Sequence, residues 1–159
     1  MVTRGWTLQE LLAPKKVVFF SSDWRPLGTR EQWENSISAI TNIHPIVLQG
    51  DLEQIARCSM AQRMSWASNR ITTRKEDMAY CLLGIFEVNL PLLYDEGGER
   101  AFMRLQEEII KESDDQSIFS WSATPIKLLT GFLAPRPSFF RGCKDIAPPK
   151  PWRKASHIR

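Results

Sequence analysis

Cysteine and histidine are scarce in this chain, and neither is arranged for chemistry. The three cysteines, Cys58, Cys81 and Cys143, are odd in number and widely spaced, and the two histidines, His44 and His157, form no CxxC or HxxxH pair. A zinc site or a disulfide framework therefore has no sequence support. The usage suits a reducing compartment, and a cytoplasmic location is the expectation. Long apolar runs are also missing. Nothing nears the roughly 20 residues needed to span a bilayer, and the opening MVTRGWTLQELL is too polar for a secretory signal. Neither a G-x-G-x-x-G turn nor a phosphate-binding loop ending in Lys-Ser/Thr occurs, and no repeat of useful period is found. Ser21, Ser22 and the cysteines stand apart from any histidine in a motif context, so a nucleophile with its base cannot be assembled. No cofactor and no metal are expected.

Charge of one sign is lacking as well. The net charge is +3, but residues 144–159 hold five Lys/Arg against Asp145, a net of +4 that leaves −1 for everything before them. The body is near neutral and has no basic stripe with interleaved aromatics, so nucleic acid is not an expected partner. At 159 residues, 43% hydrophobic and 25% charged, the chain has room for one ordinary domain with a real core.

Helical signals dominate what is present. Thr7 and Glu10 have capping-box spacing at the start of RGWTLQELLAP, and Pro14 ends that helix. VVFF, bounded by lysines and Ser-Ser-Asp, reads as a short buried strand in need of neighbours. Thr29 and Gln32 precede a helix with Trp33, Ile37, Ile40 and Ile43 on one face, and Asp51 and Ser59 are candidate N-caps for two short helices, the second presenting Met60, Met64 and Ala67. EDMAYCLLGIF reads as one largely buried helix containing Gly84. ERAFMRLQEEIIKES is amphipathic, with Ala101, Phe102, Leu105 and Ile109 inward and Arg104/Glu108 and Glu107/Lys111 paired outward. QSIFSW reads as a second short strand. Six of the ten prolines lie in residues 125–159, where GFLAPRPSFF keeps aromatics for packing and the basic end, residues 144–159, reads as an unstructured tail. The fold class expected is mainly α with a few short strands (α+β).

The densest polar cluster lies between Trp66 and Asp77. Trp66, Arg70, Thr73, Arg74, Glu76 and Asp77 crowd the start of an apolar helix. Glu76 and Asp77 are neighbours, and helix neighbours point about 100° apart, so they are not a paired-carboxylate acid/base site. Thr73 and Glu76 have capping-box spacing, Asp77 suits the helix dipole, and Arg70 and Arg74 are placed to pair with acids while Trp66 stacks on a guanidinium. The expectation is a structural polar bracket; an anion site at the helix start and a partner surface are the alternatives. Asp114 and Asp115 read as a solvated turn, YDEGGER as a turn before a helix, and His44 as a loop residue.

RGWTLQELLAP, VVFFSSDWRPLGT and MSWASNRITTRKEDMAYCLLGIFEVNLPLLYDEGGERAFMRLQEEIIKESDDQSIFSW together resemble the fungal heterokaryon-incompatibility (HET domain) proteins of the HET-E-like, vegetative-incompatibility kind, across residues 4–121. The resemblance implies a division into a C-terminal edge of a TIR-like α/β HET domain (1–28), a following helical domain of unknown function (29–121), a packed extension (122–143) and the basic tail (144–159). It implies a truncated chain without the family's Trp-Gly and Cys-Ile-Asn-Gln segments, so no catalytic or nucleotide-handling residue carries over. It also implies a link to non-self recognition and programmed cell death through protein contacts, with the missing HET half or related HET proteins as partners and no enzymatic activity of this segment. The alternative is a regulatory part of an NAD-hydrolysing TIR-like effector. Where the family has Tyr-Gly-Glu-Gly, this chain has Tyr94, Asp95, Glu96 and Gly97, a change tolerated if the position has ordinary dihedrals or permits a left-handed Asp.

Overall fold

A computed structural model describes residues 3–122 and 131–148. Helix α1 (Thr7–Leu12) sends Leu8, Leu11 and Leu12 into the core at the i, i+3, i+4 positions of one face. The expected capping box does not form: Trp6 is the N-cap, and the Thr7 hydroxyl donates to Arg4 O at 2.7 Å. At the other end, Arg30 closes the helix. Fully buried, it donates through Nη1 to Leu11 O (2.7 Å) and Pro14 O (2.9 Å) and through Nη2 to Lys15 O (2.8 Å). These carbonyls belong to the helix end and the turn after it, where the backbone has no internal partner.

Strands β1 (Val18–Phe20) and β2 (Pro26–Thr29) form an antiparallel hairpin pairing Val18 with Thr29 and Phe19 with Gly28. This corrects the expectation of a buried strand awaiting a distant partner. The Ser-Ser-Asp turn folds the chain straight back, with Ser21 N donating to Arg25 O at 2.9 Å, and Val18 and Phe20 are left exposed. Gly28 is required in β2: φ is +142°, and a Cβ would lie 2.5 Å from Trp33 Nε1.

Helix α2 (Glu34–Thr41) buries Ile37, and Ile43 follows it inward, whereas Trp33 and Ile40 stay about half exposed, a narrower face than expected. After a 3₁₀ turn at Pro45–Gln49 come α3 (Leu52–Ala56) and α4 (Met60–Ser65). Their caps are as expected: Asp51 accepts Glu53 N at 2.9 Å, and Ser59 with Gln62 makes a full capping box. The apolar stretch after Glu76 is two single turns, α5 (Asp77–Tyr80) and α6 (Leu83–Phe86), instead of one helix. Gln9 Nε2 donates to Cys81 O at 2.9 Å, and Ile85 N turns to Leu82 O at 3.0 Å, so the i to i+4 ladder stops there.

The long helix α7 (Gly98–Glu112) buries Ala101, Phe102, Leu105 and Ile109 as expected, plus Gln106, which is fully enclosed. Gln106 donates to Ala134 O (2.7 Å) and accepts from Ala134 N (3.0 Å), fixing the later segment against the helix. The outward pairs differ from expectation: Arg104 turns back to Glu96, and Lys111 joins Glu108 at 2.8 Å. QSIFSW is a 3₁₀ turn (Gln116–Phe119), not a strand, because Asp115 accepts both Ser117 N and Met60 N at 2.8 Å and locks the bend. A last 3₁₀ turn, Pro137–Phe140, buries Phe140 edge-on to Phe102 at 6.5 Å. One hydrophobic cluster runs from Leu8 to Cys143. Residues 123–130 and all of the basic tail beyond Pro148 lie outside the described residues. The fold is mainly α with one small two-stranded sheet among the described residues.

Arg30→Met keeps the volume and leaves three carbonyls without donors. It should cost about 3 to 5 kcal/mol, read from urea unfolding; a loss under 1 kcal/mol would contradict its role as the cap of α1.

Candidate functional site

The six bracket residues do come together, but their partners differ from those the spacing suggests. Glu76 is the N-cap residue of α5 and makes no side-chain cap bond there. Its carboxylate reaches forward to the connector before α7, where Oε1 accepts Asp95 N and Gly97 N, both at 3.1 Å. Thr73 is exposed, so the expected Thr73/Glu76 box is absent. Hydrogen bonds from its own amide, from Gly97 and from Asp95, with the Arg74 charge nearby, hold the Glu76 carboxyl below its usual value of 4.5 against the opposing effect of burial.

Asp77, also buried, accepts from the Tyr94 hydroxyl at 3.3 Å. Arg74 lies over the Tyr94 ring at 4.5 Å, and the Tyr94 ring meets Tyr80 edge-on at 5.6 Å. The stacked guanidinium is thus Arg74 on Tyr94. Trp66 is 3% exposed, a core residue whose carbonyl accepts Arg70 Nε at 3.0 Å.

Tyr80, Glu96 and Arg104 belong to the same assembly, and sequence reasoning missed them. The Tyr80 hydroxyl accepts Leu93 N at 2.8 Å and donates to Glu96 Oε1 at 2.8 Å, and Arg104 from α7 pairs with the same carboxylate. Burial, followed by the bond to Glu96, pushes the Tyr80 phenol up. Arg104 Nη2 also reaches Pro91 O at 3.2 Å. The connector is therefore strapped to α5 by Glu76 and Tyr80 and to α7 by Arg104. Asp95 takes a left-handed φ of +77°, the second of the two backbone alternatives open for this position. Gly98 lets the strap close, since a Cβ there would fall 2.5 Å from Lys75 O. The signal for these partners was the Tyr-Asp-Glu-Gly turn itself, where amides face one way; the carboxylate that answers them is 19 and 21 residues earlier.

Arg70 stands apart. Its partners are neutral: Trp66 O, Arg4 O at 2.8 Å and the Thr7 hydroxyl at 3.2 Å. Neither Arg70 nor Arg74 forms an ion pair among the described residues. Asp114 and Asp115 follow α7; Asp115 caps the Gln116–Phe119 turn, and no group of three metal-ligating side chains occurs among the described residues.

Comparison with known proteins adds a relationship. Over 110 residues the chain is 49% identical to Vegetative incompatibility protein HET-E-1 of Podospora anserina, a match that takes in 69% of this chain. This chain is related to a fungal vegetative incompatibility protein. It spans 8% of that relative's length. Residues 100–138, which run from α7 into the last 3₁₀ turn, match a family model described as Domain of unknown function (DUF8212). No solved structure matches.

Two measurements test the bracket. Tyr80→Phe removes a bond at each side of a buried hydroxyl and should cost about 1 to 3 kcal/mol in urea unfolding, while Arg74→Ala, at an exposed cation–π contact, should cost no more than about 1 kcal/mol; the reverse order would contradict the assignment. The second is a pH profile. Because the folded Glu76 carboxyl titrates below 4.5, its contribution is complete above that pH and is lost as pH falls through the folded value. The melting temperatures of wild type and Glu76→Gln should therefore differ by a constant amount above pH 5 or so and converge in acid; a gap that is unchanged down to pH 2 would exclude the carboxylate clamp.

Proposed function

We propose that this chain is a non-enzymatic, protein-binding part of a fungal heterokaryon-incompatibility protein, contributing to non-self recognition and programmed cell death through its contacts with other HET segments. The relationship to a vegetative incompatibility protein supports the context. The observation that carries the contact role is the hairpin β1–β2. Its surface shows Trp24 80% exposed, Leu27 56% and Phe20 48%, beside a 360 Å³ groove lined by Leu11, Val17, Phe19 and Phe20. A two-stranded ribbon with apolar side chains turned outward and a free strand edge is a template for another chain.

The bracket fits the non-enzymatic reading. Its acids are spent on backbone amides, a tyrosine hydroxyl and an arginine, so none is left as a free general base facing a cleft. No helix among the described residues is long and apolar enough to cross a membrane, and a cytoplasmic site of action is part of the proposal.

The test is co-purification of the full chain with a full-length vegetative incompatibility relative, alongside incubation of the chain with NAD. Retention that falls about ten-fold in Trp24→Ser/Phe20→Ser, a loss expected when hot-spot aromatics go, is the expected result, with no NAD turnover. NAD turnover that survives repurification, or retention indifferent to both substitutions, would overturn the reading.

A further inference from the structure

The two edges of the hairpin differ. On β2 the outward groups are taken: Thr29 N donates to Gln32 Oε1 at 2.8 Å, Thr29 O accepts Trp33 N at 3.2 Å, and Leu27 O accepts Trp33 Nε1 at 3.2 Å. Pro26 has no amide to offer. The segment leading into α2 thus blunts this edge, as folded proteins do where strand pairing is unwanted.

The β1 edge is open. Arg30 N donates to Val17 O at 3.1 Å, and Ser21 N donates to Arg25 O at 2.9 Å. The pairs just inside these bonds, Val18 with Thr29 and Phe20 with Pro26, are therefore the non-hydrogen-bonded kind, in which amide and carbonyl face away from the partner strand. Val18 is 37% exposed and Phe20 48%, and their four outward groups have no partner among the described residues. The same run lines the 360 Å³ groove together with Thr7, Glu10 and Leu11, so a strand added to this edge has α1 to pack against.

The order of charge along the run selects the strand that fits. Lys15 and Lys16, both exposed, precede residues 17–20; Ser21, Ser22 and Asp23 follow them, and Arg25 also holds Asp23 at 2.8 Å. Base, apolar run, acid is an order complementary to its own reverse. Two identical strands laid antiparallel bring the lysine end of each to the Asp23 end of the other. A two-fold axis at Phe19 sets Val18 of each copy against Phe20 of the other, which pairs all four outward groups on each strand.

We propose that β1 is the pairing edge for a second copy of this chain, the two β1 strands joining antiparallel about a two-fold axis into one four-stranded sheet. This deepens the contact role given to the hairpin above and rests on it. Because β2 is blunted, the hairpin offers one open edge per copy, and the assembly closes at two copies instead of growing. A ribbon of two strands is marginal by itself, and the wider sheet holds better.

Sedimentation equilibrium of the full chain at low salt, from micromolar to submillimolar concentration, should show a reversible monomer–dimer equilibrium. Val18→Pro removes one outward amide per copy at a place where an edge strand accepts proline, so it should weaken the dimer by about ten-fold or more while the Tm of the dilute, monomeric protein holds. Lys15→Glu/Lys16→Glu leaves the ladder untouched and keeps the test decisive if the proline variant fails to fold. It should weaken the dimer by about ten-fold at low salt and by less at high salt. That weakening would come although two changes of −2 each take the net charge from +3 to −1 and lower the general repulsion between copies. A dimer indifferent to both variants, or growth past two copies, would overturn the proposal. So would a chain that stays monomeric at every concentration. If that monomer still retains the vegetative incompatibility relative through Trp24 and Phe20, only the second copy is wrong; if retention is absent too, the contact role falls with it.

Discussion

Short helices set the terms on which this protein holds together. Apart from α7, the helices run four to eight residues, and every helix end leaves amides or carbonyls without an internal partner. A chain built this way has many such groups, and burying one unpaired costs about 1 to 3 kcal/mol. Long polar side chains meet that demand. Arg30 takes the carbonyls after α1, and Arg63 takes those of Ala56 and Cys58 after α3. Arg70 takes Trp66 O after α4, and Gln9 takes Cys81 O after α5. The amides that open α4 are answered by Asp115, Ser117 and Ser59 in turn.

The bracket is the densest instance of the same rule. Glu76 serves amides of a distant loop, Tyr80 both accepts from that loop and donates to Glu96, and Arg104 ties the pair to α7. The connector from Pro91 to Gly97 thereby becomes a fixed brace between α5 and α7. Rigidity of this kind suits a part that presents a surface, since a partner binding it meets a surface already ordered and less entropy is lost on association. It commits the Glu76 and Glu96 carboxylates to partners within the fold.

A few groups fall outside this pattern of satisfaction. The hairpin turns apolar side chains to solvent, and Arg30 Nε, Ser68 Oγ and Arg70 Nη2 are buried with no hydrogen-bond partner among the described residues. Each is a departure from the rule that governs the rest of the molecule.

What was legible in the sequence is what is encoded within about four residues. The stripe of α7 and the Asp51 and Ser59 caps were readable because each depends on spacings of four residues or fewer. The crowding of charge from Arg70 to Asp77 was readable as a place, though not as a set of contacts. Glu76 fits a local capping box as well as it fits a loop twenty residues on, and only the approach of that loop past Gly98 decided between them. The turn after Phe20 determined a hairpin where apolar character alone suggested a buried strand. Likewise a reach from Gln9 to Cys81 divided one apolar run into two helices. Local spacing thus determined where helices start and which face is apolar, because those energies belong to a single turn. Which polar groups pair, and which are left waiting, was decided by tertiary structure, because a carboxylate or guanidinium binds whichever partner the packed core brings within about 3 Å.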